Sequence, residues 1–443
     1  MKRLLVVLLG TLVLSSSVWA ADQLVIISPH RKSIQSEFIP KFEAYYKEKF
    51  GTEVKVEWLD QGGTSSAVRY VRGKYATNPE AIGVDVFWGG TSANFVDMAA
   101  EGLLEPYALS PEARKNLPAE CAGVPLSDSK NRWHATAISS FGIMYNKPLL
   151  KMDKLEAPES WDDLAKPGFQ NNITIADPRK SGTNSTMMII VLESQGWTKG
   201  WQLLTSIAGN TMRYTHSSSD PVRAVVSGDT TASMVIDFYG LSQIWELGED
   251  KIGFHLPKGQ TVLDPDPVAM LYKPKNKLAA SRFIEYLLTP EAQKIWLLPK
   301  GTPGGPKQNN LARLAVNPSA YEVTEGKRLY FMNPFEQKKF LKLDLERAGK
   351  MRRVLNDLVG AVLVDSHKEL KKAWARLMKD KVGPEGLAWF GKAPVSEKEV
   401  MALSAKWGDD VFRNQTINQW TAEALKKYER VASGEQPWKK TAH

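Results

Sequence analysis

Three short runs of glycine with serine or threonine follow predicted strands, and they are the residues best suited to binding chemistry. Small residues at a strand-to-helix junction leave backbone N–H groups free, and the helix dipole adds a partial positive charge. Hydroxyl groups add further donors, so such runs suit phosphate or carboxylate oxygens. Helix capping also selects serine and threonine, but the threefold repetition favours binding. The runs are Gly63–Thr64–Ser65, Gly90–Thr91–Ser92 and Ser181–Gly182–Thr183–Asn184.

Five further polar residues lie near predicted strand ends. His30 follows the first strand directly and is predicted to contact ligand, the alternative being an exposed turn histidine. Asp237 suits ligand hydroxyls or an amine, or caps the next helix, and Tyr239 suits donation or stacking. Ser139 and Ser140 lie where the chain is predicted to cross between two lobes, so both lobes could present them to a ligand.

Sequence motifs of catalysis are missing from the chain. The sequence holds no His-Glu-x-x-His, Cys-x-x-Cys, Gly-x-Ser-x-Gly or Gly-x-x-x-x-Gly-Lys-Ser/Thr pattern. It therefore predicts a binding protein without metal or cofactor rather than an enzyme. Catalytic groups can be dispersed along a chain, so an exported phosphate-ester hydrolase using His30 and Asp237 remains an alternative.

The first residues predict export. Lys2 and Arg3 precede the apolar run Leu4–Leu14, and small residues up to Ala20 follow, as in a signal peptide cleaved before residue 21. The apolar run is shorter than the roughly 20 residues of a membrane-spanning helix. We therefore expect a periplasmic protein. Its single cysteine, Cys121, allows no intrachain disulfide and is predicted to be a buried or half-buried apolar residue.

The net charge of +9 favours anionic ligands. Dense Lys/Arg clusters interleaved with aromatic residues are missing from the sequence, so nucleic acid is not an expected partner.

Strand and helix patterns alternate along the first part of the chain. Predicted strands at Gln23–Ser28, Glu53–Leu59 and Asp85–Trp88 alternate with helices at Ile34–Tyr46 and Ala67–Tyr75. This alternation indicates an α/β protein with a parallel sheet covered on both faces. Ligands of open α/β sheets bind beyond the carboxyl ends of the strands, so the polar loops are expected to face one crevice.

Four segments follow from these patterns. The signal peptide takes residues 1–20, the first lobe 21–136 plus 270–330, and the second lobe 137–269. A helical C-terminal extension takes residues 331–443. Within it, the segment Phe412–Trp420 is distinctive. We expect the extension to brace one lobe, with a surface that docks on a permease as the alternative.

The order of several segments resembles bacterial extracellular solute-binding proteins of ABC transporters, in the ferric-ion and sugar-phosphate group. The resembling segments are Asp85–Gly90, Ser140–Asn146, Ile175–Pro178 leading into Ser181–Thr183, Gly228–Asp229 before Ile236–Tyr239, and Thr289–Gln293. The resemblance implies a two-lobed type II periplasmic-binding-protein fold, each lobe a mixed or parallel sheet flanked by helices. It also implies a monomer that closes on a small solute and delivers it to an ABC permease in the inner membrane.

The resemblance leaves the ligand open between two classes. Ferric members hold the metal with a histidine after the first strand and two adjacent tyrosines after a strand of the second lobe. His30 and Tyr239 match, but Phe238 stands where the other tyrosine is expected. We therefore expect a small anionic solute, such as a sugar phosphate or phosphonate. A ferric species is the alternative ligand, and the soluble partner of a sensor is an alternative role.

Overall fold

The computed structural model describes residues 21–330, 332–336 and 340–441, so the predicted signal peptide lies outside the described residues. The strands are β1 (Asp22–Ile27), β2 (Val54–Leu59), β3 (Val86–Trp88), β4 (Leu104–Glu105), β5 (Glu120–Cys121), β6 (Val124–Pro125), β7 (His134–Ser139), β8 (Phe141–Asn146), β9 (Ile173–Ala176), β10 (Thr211–Thr215), β11 (Ala232–Ile236), β12 (Ile252–His255) and β13 (Asp264–Leu271).

Helices cover both faces of the sheets and form most of the C-terminal region. They are α1 (Lys32–Phe50), α2 (Thr64–Thr77), α3 (Ser92–Ala100), α4 (Pro111–Lys115), α5 (Lys147–Asp153), α6 (Gly182–Gln195), α7 (Trp197–Asn210), α8 (Ser219–Ser227), α9 (Asp237–Leu247), α10 (Lys277–Leu288), α11 (Pro290–Leu297), α12 (Pro318–Val323), α13 (Leu345–Val359), α14 (His367–Lys379), α15 (Pro384–Phe390), α16 (Glu397–Ser404) and α17 (Asp410–Ala432). A π-helical turn at Gly360–Asp365 joins α13 to α14.

Two mixed sheets organise the molecule. The first has the order β2-β1-β3-β13-β4, with β7 paired to β13, and the second has the order β10-β9-β11-β8-β12. Strand β1 runs parallel to β2 and β3, whereas β13 runs antiparallel to its neighbours. Successive side chains of β3 enter different cores, Trp88 with α1 and Phe87 with α2 and α3. The predicted α/β architecture of mixed sheets flanked by helices is confirmed.

The chain crosses between the sheets at two points. Strand β7 ends at Ser139 in the first sheet and β8 begins at Phe141 in the second. The return occurs before Asp264, where β13 begins. The boundaries expected at 136/137 and 269/270 each fall inside a strand of the first sheet. Continuous apolar runs do not reveal where a strand changes its pairing partner, and we propose lobes of 21–140 plus 264–330 and 141–263.

The C-terminal extension packs on both lobes. Helices α14 and α15 lie on α7 of the second lobe. Helix α13 packs against α6 of the second lobe and also against α3 of the first lobe. Trp374 lies directly over Gly209 and donates from Nε1 to the Asn210 carboxamide oxygen at 2.8 Å. The expectation that the extension braces one lobe is therefore corrected, because α13 contacts both.

Two smaller features complete the fold. Cys121 is buried and unpaired, as the sequence predicted. Among the helices of the described residues, none combines the length and apolar character needed to cross a membrane.

Candidate functional site

A cleft lies between the two lobes, at the carboxyl ends of their strands. The first lobe contributes Pro29, His30, Gly63, Thr64, Gly90, Asp266 and Arg313, and the second contributes Ser181, Gly182, Thr183, Ser218, Ile236, Phe238 and Tyr239. The lobes touch beside it, since a β-carbon on Gly182 would lie 3.1 Å from Cβ of Thr64. The structure is thus closed around a cavity of about 50 Å³.

Two helices from opposite lobes begin at this cleft. Helix α2 starts at Thr64 after Gly63, and α6 starts at Gly182 after Ser181. Within the described part of the chain, the N–H groups of Thr64, Gly182 and Thr183 donate to no protein acceptor. Free amides and two helix dipoles therefore meet in one cavity, which is the arrangement that binds oxyanions in proteins.

A buried charge network forms the floor of the cleft. Oδ2 of Asp266 lies 2.5 Å from Nη1 of Arg313 and 2.8 Å from Nε2 of His30. Burial opposes ionisation of Asp266, but the Arg313 charge and the His30 contact outweigh it and hold the pKa of Asp266 below its usual value. Burial lowers the pKa of His30 despite Asp266. The floor is therefore a carboxylate–guanidinium pair beside a neutral imidazole.

Two polar atoms on this floor, one an acceptor and one a donor, have no partner among the described residues. They are Nδ1 of His30 and Nε of Arg313, both buried. More than about 90 % of buried polar groups in native proteins are hydrogen-bonded, so these atoms mark where water or a ligand belongs. Nη2 of Arg313 donates to Oγ of Ser139 at 3.0 Å, which fixes the guanidinium in place.

Glycine is required where the first lobe closes over this floor. Gly89 and Gly90 have φ values of +99° and +117°, a backbone region that residues other than glycine rarely adopt. A β-carbon on Gly89 would lie 2.4 Å from the His30 ring, and one on Gly90 2.6 Å from Cγ2 of Thr64. The Gly90 N–H donates to Oδ1 of Asp266 at 2.8 Å. The loop thus approaches the cleft through backbone contacts.

The structure brings about half of the predicted site residues to the cleft. Those that line it are His30, Gly63, Thr64, Gly90, Ser181, Gly182, Thr183 and Tyr239. Those outside its lining are Ser65, Thr91, Ser92, Ser139, Ser140, Asn184 and Asp237. Most of the second group bond to other protein groups, so a direct ligand role for them stays a prediction.

Asp237 joins the crossing point to the start of α9. Its Oδ2 accepts from the N–H of Ser140 at 2.9 Å and from Oγ of Ser140 at 2.8 Å, and its Oδ1 accepts from the Phe238 N–H. Burial raises the pKa of Asp237 to about 6 despite these bonds. His30 pairs with Asp266, whereas Asp237 bonds to Ser140, so the two residues considered for a hydrolase have other partners.

Three other predicted residues shape helix starts. Oγ of Ser92 contacts Asp264, and Oγ1 of Thr91 bonds to Oδ1 of Asn94 at 2.7 Å. Nδ2 of Asn184 donates to Oγ of Ser181 at 3.2 Å. These hydroxyl and amide groups hydrogen-bond within the protein and hold the first turns of α3 and α6 in place.

Sequence reasoning missed Asp266 and Arg313. Arg313 lies in a loop without a motif and reaches His30 across 283 positions of the chain. The Asp264–Pro265–Asp266–Pro267 run carried a signal for Asp266, because alternate residues of a strand share one face and two carboxylates there require partners.

Two arginines stack on the aromatic rings of the second lobe. The guanidinium carbon of Arg31 lies 3.4 Å from the Tyr239 ring centroid, and that of Arg313 lies 4.2 Å from the Phe238 centroid. Both are within cation–π range. Positive charge therefore lies over both rings of the Phe238–Tyr239 pair. The described residues hold no His/Cys/Asp/Glu group arranged for a metal ion.

A family model of bacterial extracellular solute-binding proteins matches residues 84–320. The chain belongs to this family. The match spans the second lobe and much of the first, including the Ser181–Thr183 loop and Arg313. The family predicted from the order of the segments is confirmed.

Similar proteins include a named relative and two solved structures. The chain is 29% identical over 292 residues to the phosphoglycerate transport regulatory protein PgtC of Salmonella typhimurium, covering 65% of this chain and 69% of PgtC. Periplasmic AfuA of Actinobacillus pleuropneumoniae, with fructose-6-phosphate bound, superposes with a TM-score of 0.60 at 22% identity, covering 82% of this chain and 99% of AfuA. Iron-bound HitA of Pseudomonas aeruginosa superposes with a TM-score of 0.57 at 18% identity, covering 76% of this chain and 99% of HitA. The two structures establish a shared periplasmic-binding-protein fold.

Proposed function

We propose that this solute-binding protein captures a small phosphate ester in the periplasm and delivers it to an ABC permease. The observation that carries the proposal is the meeting of α2 and α6, from opposite lobes, at a cleft where their first amides lack protein acceptors. A phosphate group accepts several such bonds at once, and it joins the lobes by doing so.

Hydrogen bonds rather than net charge would supply the affinity. Asp266 neutralises Arg313, so the residues that line the cleft offer amides, hydroxyls and the free Nε of Arg313. Arg31 is a further cation beside them, over the Tyr239 ring. The hydroxyls of Ser181 and Thr183 lie beside the α6 amides. Closed as it is, the cleft has room for one oxyanion group, and the remainder of the solute requires wider separation of the lobes.

The phosphate-ester class also agrees with two similar proteins. PgtC is named for phosphoglycerate transport, and AfuA was solved with fructose-6-phosphate. Both compounds carry a phosphate monoester on a small polar body. A ferric ligand is disfavoured because Phe238 supplies no oxygen and the guanidinium of Arg313 lies over its ring.

Closure would couple binding to delivery. The solute shifts an equilibrium between open and closed lobes in proportion to its preference for the closed form. Closed protein then presents both lobes to the permease in fixed relative positions. The family and the contacts of His30 and Asp237 favour binding without catalysis.

Isothermal titration with 3-phosphoglycerate, glucose 6-phosphate and ferric citrate tests the proposal. Thr183→Val should weaken phosphate-ester binding at least tenfold, because a hydrogen bond to a charged group contributes about 1.5–3 kcal/mol. The matched control is Thr198→Val, since Thr198 is also the second residue of its helix but is exposed. Binding of ferric citrate alone, or equal effects of the two variants, would reject the proposal.

A signalling role shares the same binding step. PgtC is described as a transport regulatory protein, which favours a second candidate in which the closed form engages a sensor. A permease deletion separates the two roles, because induction by the phosphate ester would survive it only if the protein signals.

A further inference from the structure

A second cavity lies beyond the contact between Thr64 and Gly182. It occupies about 560 Å³ where α2 and α3 of the first lobe, α6 of the second, and α13 and α17 of the extension meet. Its cationic lining consists of Arg69, Arg72, Arg179, Arg352, Arg353 and Arg413, together with Lys180. We call this cavity the arginine pocket.

Arg352 is the most informative residue of the arginine pocket. Only 4% of it is exposed, and it donates to Oγ of Ser185 at 3.2 Å and to Oγ1 of Thr186 at 3.3 Å. Its buried Nε has no partner, and no carboxylate of the described residues forms an ion pair with it. A guanidinium stays charged at neutral pH, so Arg352 is a buried cation without a counter-ion in contact.

Other cations of the pocket differ in how far they are neutralised. Arg72 is paired with Glu101, and Arg179 with Asp177 and Asp365. By contrast, Arg69 donates only to the Ser66 hydroxyl among the residues that the structure describes.

Arg353 has no ion pair in the described chain, and Lys180 meets only the His216 ring. Unneutralised positive charge thus reaches the pocket from the first lobe, the second lobe and the extension.

Two carboxylates line the pocket and offset part of its positive charge without contacting an arginine. Asp357 accepts from Nε1 of Trp407 at 2.9 Å, and the nearby arginines act on its carboxylate without forming an ion pair. Burial raises the pKa of Asp97 to about 6, although Arg352 opposes the shift. Neither side chain forms an ion pair with an arginine of the pocket within the described residues.

We propose that the arginine pocket is a second anion site, for a compact oxyanion of the phosphate type carrying at least two negative charges. Asp97 and Asp264 act on Arg352 without an ion pair, so such an anion would provide the counter-ion in contact that Arg352 lacks and would join both lobes to the extension. The distinctive segment Phe412–Trp420 then has a role, because it brings Arg413, Asn414 and Ile417 to this pocket. The site is separate from the proposed solute cleft.

Isothermal titration of the full mature protein with pyrophosphate at low ionic strength tests the second site. Arg352→Met should weaken binding at least tenfold, and Arg353→Gln several-fold. Arg353 is exposed, so its variant tests the site even where the Arg352 change disturbs folding. The control is Arg213→Gln, an exposed arginine paired with Asp229, which should bind like the parent protein. Thr183→Val in the cleft should lose less pyrophosphate affinity than Arg352→Met.

The other outcomes overturn the inference. They are the lack of pyrophosphate binding, binding that both pocket variants retain, and binding that Thr183→Val weakens as much as Arg352→Met. The last result would show one continuous site. Failure here leaves the cleft proposal standing, because phosphate-ester binding is measured separately with Thr183→Val and Thr198→Val.

Discussion

The cleft and the arginine pocket lie on opposite sides of one contact between the lobes, and each contains a buried arginine. Arg313 in the cleft has Asp266 at 2.5 Å, whereas Arg352 in the pocket has only hydroxyls at 3.2 and 3.3 Å. A guanidinium paired with a carboxylate needs no ligand for stability, and it serves to position the groups around it. An unpaired one makes the protein itself depend on an anion.

Removing the carboxylate of the cleft should give the largest effect. Asp266→Ala leaves Arg313 buried and unpaired, so we expect the free energy of unfolding to fall by about 3–5 kcal/mol. The control Asp229→Ala breaks an exposed pair, and it should cost less than about 1 kcal/mol. Chemical denaturation measures both. Equal losses would contradict the assignment of Asp266 as the counter-ion.

Removing the unpaired arginine should change the free energy of unfolding in the opposite direction. Arg352→Met deletes a buried charge at similar length, so in anion-free buffer it should raise the free energy of unfolding by about 1 kcal/mol or more. Arg313→Met should lower it, because Asp266 then loses its partner. Chemical denaturation of both variants measures the two free energies of unfolding. A lower free energy of unfolding for Arg352→Met would contradict the assignment of Arg352 as an unpaired buried charge.

Salt should separate the two sites next. Between about 0.02 M and about 0.3 M NaCl, we expect about tenfold weaker pyrophosphate binding in the pocket and about threefold weaker phosphate-ester binding in the cleft, because screening acts mainly on unpaired charge. Titrations at several salt concentrations give the two slopes. A steeper slope for the cleft would reverse the comparison.

The smallest expected effect is a pH dependence of the pocket. Burial raises the pKa of Asp97 to about 6, with Arg352, Arg72 and Arg353 opposing that rise and Glu101 adding to it. Below that pKa Asp97 is protonated and no longer repels anions, so sulfate should bind about threefold tighter at about pH 5 than at about pH 7.

Sulfate keeps its charge over this range, so the change belongs to the protein. Asp97→Asn should bind sulfate equally at both pH values, with the affinity that the parent shows at the lower one. The same pH dependence in Asp97→Asn would assign it to another group.

The sequence predicted the fold and part of the cleft because those features are local. Alternating strands and helices fix the α/β architecture. The residue types of Gly182 and Thr183 are enough to predict that a helix begins there. Local sequence cannot separate a ligand donor from a cap, which is why Ser92 and Asn184 bond within the protein instead.

Residues brought together from distant parts of the chain were not predictable. Asp266 meets His30 across 236 positions, and Arg352 reaches Ser185 across 167. Neither residue belongs to a motif. Their importance arises from burial and from the partners they have or lack, and only the packed structure determines these.

The central claim is that the first amides of α2 and α6 hold the oxyanion of the solute. The most direct test is a titration with 3-phosphoglycerate followed by amide NMR with assigned Thr64, Gly182 and Thr183 signals. We expect these three protons to show the largest downfield shifts as the phosphate accepts their hydrogen bonds. Saturable binding that leaves all three signals unmoved would contradict the account.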